Sequence, residues 1–543
     1  MATVSNRSAT TTTAVLDDAH VGDIRGALGT IRVGDTGARS TMSARLKTLL
    51  AIVGPGLIVM VGDNDAGAFS TYGQAGQDYG TRLLWTLLLL VPVLYVNQEM
   101  VLRLGAVTGV GHARLILERF GKFWGAFSVI DLFILNALTL ITEFIGITLA
   151  AGYLGVPKII AVALAALVIV ASAFTGSFRR FERIAVAFCA GSLLLIPLFL
   201  MVHPSTSSMT HGFLVPGLPG GSGQMATVML LVIGIVGTTV APWQLFFQQS
   251  YVIDKRITPR FMKYEKTDLW IGIVIVVIGG GALMGIAAAA SGGLGGFSDT
   301  GGLAHTIAAY SGRAAGVIFA IALLDASIIG AFAVSLSTAY AVGDVLGLNH
   351  SLHRGIKQAK GFYAIYTLLI ALAATVVLIP GSPLGLLTEG VQVLAGVLLP
   401  SATVFLLLLC NDRAVLGPWV NKRGTNMFTS TVIAILITLS VILTGSVLFP
   451  NITSGQILDI LIACGVASAV FGAVLLVRRR RAELPVADPE FEDRDNWRMP
   501  PLNRLTAPMI SGGRKAGLTA LRLYLLIAMI LVIVKVVQTA LGH

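Results

Sequence analysis

A short polar break inside an apolar run constrains this chain more than any other feature of its sequence. Apolar residues extend from about Leu46 to Val61 and resume at Phe69, and two carboxylates, an amide and two glycines stand between them in the run 62–68. A charged side chain at the centre of a bilayer costs roughly 3 kcal/mol on insertion scales, so these acids must face protein or water. We therefore expect an interrupted membrane helix whose free backbone groups line a cavity.

The composition is typical of a polytopic membrane protein. Mean hydropathy is +0.83, 55% of the 543 residues are hydrophobic and only 12% are charged. Such values exclude an ordinary soluble enzyme. The net charge of +11 comes from short basic clusters between apolar runs, so it indicates orientation in the membrane rather than nucleic-acid binding. The three cysteines have no paired spacing and read as buried apolar side chains, and we expect no cofactor.

Hydropathy predicts thirteen membrane spans, of which the first and the sixth are interrupted. They lie near 43–80, 82–105, 124–153, 157–175, 182–202, 224–252, 267–290, 312–342, 361–380, 385–410, 430–449, 456–477 and 518–541. The basic clusters fall in alternate connections between these spans. Because positively charged connections stay on the cytoplasmic side, we expect a multi-pass protein of the cell membrane with a cytoplasmic N-terminus.

A second interruption, in the sixth span, matches the first. Residues 237–244 read Gly-Thr-Thr-Val-Ala-Pro-Trp-Gln, and Pro242 removes a backbone hydrogen-bond donor from this helix. Breaks at corresponding places in two halves indicate a transporter built of inverted repeats, with its substrate site between the breaks. We predict an all-α fold of two five-span repeats with extra C-terminal spans. The predicted regions are a disordered cytoplasmic arm (1–42), the two repeats (43–202 and 224–410), spans 11 and 12 (411–477), a cytoplasmic linker (478–517) and a last span (518–543).

The polar side chains of the breaks suggest cation binding, although each also has a simpler interpretation. Asp65 can cap the half-helix that follows it. A carboxylate beside unpaired carbonyls at the negative end of a half-helix is also a ligand set for hard cations. Asp63 and Asn64 lie on the same break and could contact the ion directly or through water. Gln244 could reach the ion, and Gln392 in span ten could close the site or make a helix–helix hydrogen bond.

Several short motifs occur in one order between about residue 54 and residue 417. They are Gly54-Pro55-Gly56, Asp65-Ala66-Gly67-Ala68, Gln98 with Arg103-Leu104-Gly105, Glu143-Phe144-Ile145-Gly146, Gln392-Val393-Leu394 and Asn411-Asp412-Arg413. This series resembles the NRAMP family of divalent-metal transporters. The resemblance implies a divalent metal ion as substrate and the lipid bilayer as surroundings. The site residues that it and the breaks imply are Asp65, Asp63, Asn64, Ala68, Val240, Ala241, Gln244 and Gln392, with Trp243 and Glu143 on the pathway.

Departures from the family motifs bear on the choice of ion. The family's Asp-Pro-Gly-Asn is matched by the run 65–68, in which two alanines replace proline and asparagine. Its Met-Pro-His is matched by Ala241-Pro242-Trp243, so the thioether and the histidine are missing, and Leu140 stands where many members have an aspartate thought to carry protons. The combination resembles the NRAMP-related magnesium transporters. A roomier site without sulfur suits a hard, partly hydrated ion such as Mg²⁺.

We therefore predict a transporter of divalent cations, most suited to Mg²⁺ and accepting Mn²⁺, that works by uncoupled uptake and alternating access. A membrane potential supplies roughly 2.3 kcal/mol per charge per 100 mV, or about 4.6 kcal/mol for a divalent cation, so uptake needs no proton gradient. Two alternatives stay open, a proton-coupled Mn²⁺/Fe²⁺ transporter of the same family and a sodium-coupled amino-acid symporter. No protease or hydrolase motif occurs, which argues against an enzyme.

Overall fold

The computed structural model describes residues 15–219, 225–293, 296–380, 384–448, 453–482 and 494–505, with a few residues between 517 and 530. Within these ranges ten helices are long and apolar enough to cross a membrane. A bent helix pair at the start adds an eleventh, and a 16-residue apolar helix, Lys158–Ala173, occupies the predicted fourth span. The predicted all-α polytopic class is therefore confirmed. The predicted last span lies mostly outside the described residues.

The first five predicted spans correspond to nine helices. These are α1 Met42–Ile52, α2 Pro55–Val61, α3 Ala66–Tyr79, α4 Trp85–Thr108, α5 His112–Phe120, α6 Lys122–Tyr153, α7 Lys158–Ala173, α8 Phe178–Cys189 and α9 Leu195–Val202. The first span is divided twice, by a 52° bend between α1 and α2 and by the polar break between α2 and α3. The short helix α5 joins spans two and three, and a 3₁₀ turn joins α8 to α9 within span five.

Eleven further helices follow in the described part of the chain. They are α10 Thr206–Leu214, α11 Met225–Thr239, α12 Pro242–Asp254, α13 Met262–Ser291, α14 Thr300–Ser311, α15 Arg313–Leu346, α16 Lys360–Val377, α17 Leu384–Cys410, α18 Arg413–Leu416, α19 Arg423–Leu448 and α20 Ser454–Ala482. Helices α11 and α12 form the interrupted sixth span, and α10 and α14 lie in connections. The core forms where α15 packs on α6, α13 on α2 and α3, α11 on α17, and α12 on α4 and α15.

The prediction of a disordered N-terminal arm over residues 1–42 is wrong for the part that the structure describes. Residues 15–41 form an ordered segment with a short hairpin, β1 Ile24–Arg25 and β2 Thr30–Ile31, paired antiparallel. Ile24 and Ile31 are 4% and 5% exposed, so the hairpin buries apolar side chains against the helices. The polar composition of the whole arm concealed these apolar residues. Residues 1–14 lie outside the described ranges.

The predicted linker 478–517 also has a structured part. Helix α20 continues to Ala482, and the described residues 494–505 return to the bundle. There the amide of Met499 donates to the carbonyl of Val107 at 3.2 Å, and the indole of Trp419 donates to the carbonyl of Arg494 at 2.9 Å. This segment is therefore attached to the end of span two.

The motif Gly54-Pro55-Gly56 permits close packing at the start of α2. Gly54 has a φ of 157°, which L side chains rarely adopt. A Cβ on Gly56 would lie 2.6 Å from the backbone nitrogen of Leu269, so α2 and α13 could not approach with a larger residue there. The side chain of Asp268 accepts hydrogen bonds from the amides of Gly54 at 3.1 Å and Gly56 at 2.7 Å. These free amides at a helix N-terminus are thus satisfied by a carboxylate.

A buried ion pair secures the junction between α1 and α2. The ammonium group of Lys255, after the end of α12, donates to Glu182 of α8 at 2.7 Å, and neither side chain is exposed. The same group donates to the carbonyls of Ile52 at 2.6 Å and Val53 at 2.9 Å. Lys255 therefore ties the end of α1 to spans five and six.

Replacing Lys255 with methionine should destabilise the protein substantially. Removing one partner of a buried ion pair leaves an uncompensated charge, here Glu182, at a cost of about 3–5 kcal/mol. We expect a clear fall in the melting temperature of the detergent-solubilised protein. Lys266→Met is the control, because that lysine is 34% exposed and its pair with Glu99 is worth little. Equal melting temperatures for the two variants would contradict this role of Lys255.

Candidate metal-transport site

The first helix break lies at the centre of the bundle and is fully enclosed. Helix α2 finishes in a tightened turn, in which the amides of Asp63 and Asn64 donate to the carbonyls of Met60 at 3.3 Å and Val61 at 3.1 Å. Asp63 is 0%, Asn64 3% and Asp65 4% exposed. The sequence therefore places two carboxyl groups and an amide in the protein interior, as predicted.

Asp65 begins the second half-helix and contacts a second acid. Its side chain accepts a hydrogen bond from the amide of Ala68 at 2.9 Å, so the predicted capping role is observed. Its carboxyl group is within hydrogen-bonding reach of Glu143 on α6, and Glu143 also accepts from the amide of Ala66 at 3.2 Å. A Cβ on Gly330 of α15 would lie 2.8 Å from both Asp65 Cβ and Glu143 Cδ. Glycine is thus what lets α15 close over this acid pair.

Asp63 is joined to the second repeat. The side-chain amide of Gln244 on α12 donates to one oxygen of Asp63, and Gln98 on α4 donates to Gln244 Oε1 at 2.8 Å. The other oxygen of Asp63 has no hydrogen-bond partner among the described residues. Sequence reasoning assigned no site role to Gln98, although an amide in an apolar span was a signal for one.

The second break faces the first. Helix α11 ends at Thr239 and α12 begins at Pro242, and between them Ala241 is extended, with φ −78° and ψ 143°. Val240 and Ala241 are 0% and 4% exposed. The hydroxyl of Thr239 is 2.7 Å from that of Tyr72 on α3, which links the two interrupted spans directly. Neither hydroxyl was among the predicted site residues.

Gln392 of α17 contacts both interrupted spans. Its backbone carbonyl lies against Gly237 of α11, and its side-chain nitrogen lies against Gly67 of α3. Within the described ranges this nitrogen has no hydrogen-bond partner. The geometry therefore supports the interpretation that Gln392 faces the break over the alternative of a helix–helix hydrogen bond.

Two candidates, Asn64 and Trp243, make their observed contacts with other parts of the bundle. The Asn64 amide donates to the carbonyl of Val276 on α13 at 3.3 Å, while its own oxygen has no partner in the described part of the chain. Trp243 is 1% exposed and packs edge-to-face on Phe247 with ring centroids 6.2 Å apart. Its carbonyl accepts from the hydroxyl of Ser337 at 3.0 Å. Trp243 is thus a packing residue beside the site.

The chemistry of the site is that of oxygen ligands. Among the described residues no group of three or more His, Cys, Asp or Glu side chains converges to form a metal cage. The breaks instead combine the carboxyl groups of Asp63, Asp65 and Glu143 with amide oxygens and backbone carbonyls. Such a set can bind a hard cation that keeps part of its water shell.

A small crevice, with room for about one water molecule, lies between α3, α6 and the α13–α15 connection. It ends beside Ala66, the first residue of α3, and is lined by the hydroxyls of Ser70, Thr142 and Thr388 and by Asp299 in that connection. These groups are polar although they lie between membrane helices. The crevice therefore places polar side chains beside the first turn of α3.

A solved structure supports the architecture. The manganese transporter of Eremococcus coleocola, solved with an aromatic bis-isothiourea compound, superposes with a TM-score of 0.59 at 19% identity over 85% of this chain and 98% of that one. At this identity the likeness concerns the fold alone. It confirms the predicted inverted-repeat architecture.

Sequence comparisons establish the family. A family profile described as natural resistance-associated macrophage protein-like matches residues 56–446. A divalent metal cation transporter MntH of Ralstonia nicotianae is 31% identical over 412 residues, covering 72% of this chain and 89% of that protein. A protein of the same name from Burkholderia ambifaria is 31% identical over 310 residues, covering 54% of this chain and 68% of its own length. The chain therefore belongs to the Nramp family of membrane transporters, as its motifs predicted.

Proposed function

We propose that this protein carries divalent cations across the cell membrane by alternating access, with Mg²⁺ as its preferred ion and Mn²⁺ also accepted. The observation that carries the proposal is that two helix breaks meet where three carboxyl groups are buried, with Asp63 bonded to Gln244 of the second repeat and Asp65 beside Glu143. Buried carboxylates are costly unless a positive charge or protons compensate them, and a divalent cation supplies that charge. The names of the similar MntH proteins agree with this substrate class.

The preference for Mg²⁺ rests on the hardness of the ligands. Ala241 immediately precedes α12, and its methyl group cannot bind a metal ion. Sulfur ligands select transition metals, whereas carboxylates, carbonyls and water suit Mg²⁺ and Mn²⁺. Mg²⁺ also dehydrates reluctantly and keeps several waters, so it needs few direct protein ligands. Oxygen ligands discriminate weakly between Mg²⁺ and Mn²⁺, hence the second substrate.

We infer further that uptake is uncoupled from protons. The side chains of Asp65 and Glu143 lie close together in the protein interior, where two charged carboxylates would repel each other, so we infer that the pair holds one proton before the ion binds. If that proton stays on Glu143 while Asp65 binds the ion, the cycle moves no proton. The membrane potential alone is worth about 4.6 kcal/mol for a divalent cation per 100 mV, which sustains an accumulation of over a thousandfold.

The same contact supports a second candidate, a proton-coupled Mn²⁺/Fe²⁺ transporter. An ion arriving at Asp65 would then displace the shared proton, which would leave with each transported ion. The similar proteins that are named divalent metal cation transporter agree with both the coupled and the uncoupled mechanism. A sodium-coupled amino-acid symporter fits less well, because three buried acids would repel the substrate carboxylate.

Removing the charge of Asp65 should abolish transport. Asp65→Ala also removes the cap on α3, which is worth about 1 kcal/mol, whereas Asp65→Asn keeps a capping side chain and removes only the charge. We expect both variants to fold and to lose at least about tenfold in Mg²⁺ uptake, the loss expected when a direct charged ligand is removed. Uptake is measured in proteoliposomes with a Mg²⁺-sensitive dye. Wild-type uptake by Asp65→Asn would show that the site is elsewhere.

A sulfur ligand introduced at the second break should change the ion preference. Ala241→Met should raise the ratio of Mn²⁺ to Mg²⁺ uptake, because a thioether binds transition metals better than Mg²⁺. Ala241 is 4% exposed, so a larger side chain also strains the site. Ala241→Leu is the matched control of similar volume without sulfur. Identical ratios in the two variants would mean that volume rather than ligand chemistry decides selectivity.

Proton coupling can be decided with the wild-type protein. In proteoliposomes with a K⁺ diffusion potential, negative inside, we expect Mg²⁺ uptake to leave the signal of an enclosed pH dye unchanged. The reason is that Glu143 keeps the shared proton throughout the cycle. Acidification in constant proportion to Mg²⁺ entry would establish the proton-coupled mechanism instead.

A further inference from the structure

The N-terminal strap, residues 15–41, belongs to neither repeat and lies across the face of the bundle where α1 begins. Its hairpin turn packs on the last turn of α1. A Cβ on Gly29 would lie 2.9 Å from Ala51 Cβ, and Ala27 is 2% exposed. The strap therefore continues directly into the first interrupted span and moves with it unless other contacts hold it.

One anchor joins the strap to the connection between α15 and α16. Asp17, 2% exposed, accepts hydrogen bonds from the backbone nitrogen of His350 at 3.0 Å. It also accepts from Arg354 Nε at 2.9 Å and Arg354 Nη2 at 2.6 Å. A two-pronged, charge-assisted contact of this kind is among the strongest polar interactions in proteins.

A second anchor joins the strap to the end of span six. The guanidinium of Arg256 donates to the carbonyl of Ala19 at 2.9 and 2.7 Å and to that of Asp23 at 3.1 Å. Arg256 has a φ of 67°, a conformation that is uncommon for any residue except glycine. The backbone of Arg256 therefore adopts an unfavourable conformation, and the side chain of the same residue holds the strap.

A third anchor lies on α8 of span five. Arg179 donates to the carbonyl of Gly26 and Arg183 to that of Ala27, both at 3.0 Å. The amide of Ala27 donates to Glu182 at 2.5 Å. The other oxygen of Glu182 pairs with Lys255, so this anchor is continuous with the ion pair that secures α1.

The anchored elements include helices that run from the site to this face. Helix α2 ends at the acid pair, α12 begins beside it, and α15 passes it at Gly330. From there α12 runs to Asp254 and α15 to Leu346, and the strap bonds the connections that follow both ends. The strap therefore connects the ends of these helices on this side through hydrogen bonds.

We propose that the N-terminal strap is a latch that keeps the metal site closed to the face where α1 begins, and that it must detach from the α15–α16 connection whenever the site opens to that face. This inference rests on the proposed transport by alternating access. A passive cover would stabilise the fold without changing how often the site opens, whereas a latch limits how often it opens.

The test compares two neighbouring aspartates. Asp17→Asn removes the buried charge that pairs with Arg354, whereas Asp18→Asn alters a side chain that is 90% exposed and meets Arg354 from solvent. The reporter is Ser337→Cys, buried where α15 contacts Trp243 of α12, between the site and the anchors. It is placed in a chain whose native cysteines are replaced by alanine, and the labelling rate with a small polar thiol reagent is measured in detergent.

We expect Asp17→Asn to raise the labelling rate of the reporter about tenfold, in line with the loss of a charge-assisted hydrogen bond, and Asp18→Asn to change it less than about twofold. An unchanged rate in a folded Asp17→Asn protein would overturn the latch. If that variant fails to fold, Arg354→Gln removes the same contact from the other side and decides by the same criterion. Labelling needs no transported ion, so failure of the proposed function would be seen separately, in the uptake assay.

Discussion

The structure depends on the meeting of two broken helices around acids that have been removed from water. Each break leaves backbone groups without helical partners, and each acid would be costly alone at this depth. Asp63 is compensated by Gln244 of the other repeat, and Asp65 by the amide of Ala68 and by Glu143. The two repeats are therefore held together at the place where the substrate is proposed to bind. The stability of the fold and the proposed transport site therefore depend on the same few contacts.

Much of this arrangement could be predicted from the sequence, because its cause is local. Two acids within an apolar run must lie in a break, and a proline within another run marks the second one. The role of Asp65 as a cap followed from the same reasoning and is observed. The partners across the bundle could not be predicted. Gln244 bonds Asp63, and Gly330 leaves space for both Asp65 and Glu143. Both contacts depend on how distant helices pack.

The N-terminal region was misjudged for a related physical reason. Its composition is that of a disordered segment, yet Ile24 and Ile31 are buried. The segment gains order because arginines from distant connections donate to its backbone carbonyls, as Arg256 does to Ala19. The average composition of a polar segment does not reveal the hydrogen-bond donors that other parts of the chain supply to it. The bend before α2 was likewise missed, although Gly54 is the residue that permits it.

The arginines that hold the strap have a second consequence. Arg179, Arg183 and Arg256 belong to the basic clusters that predict the orientation of the chain, but in the folded protein their guanidinium groups donate to backbone carbonyls. The cations on which the predicted orientation is based therefore also fasten the N-terminal strap in the folded protein. Trimming the chain ahead of α1, as is common when membrane proteins are prepared for crystallisation, would release these cations toward lipid phosphates. If the strap is the proposed latch, a protein without it would open the site to that face more often.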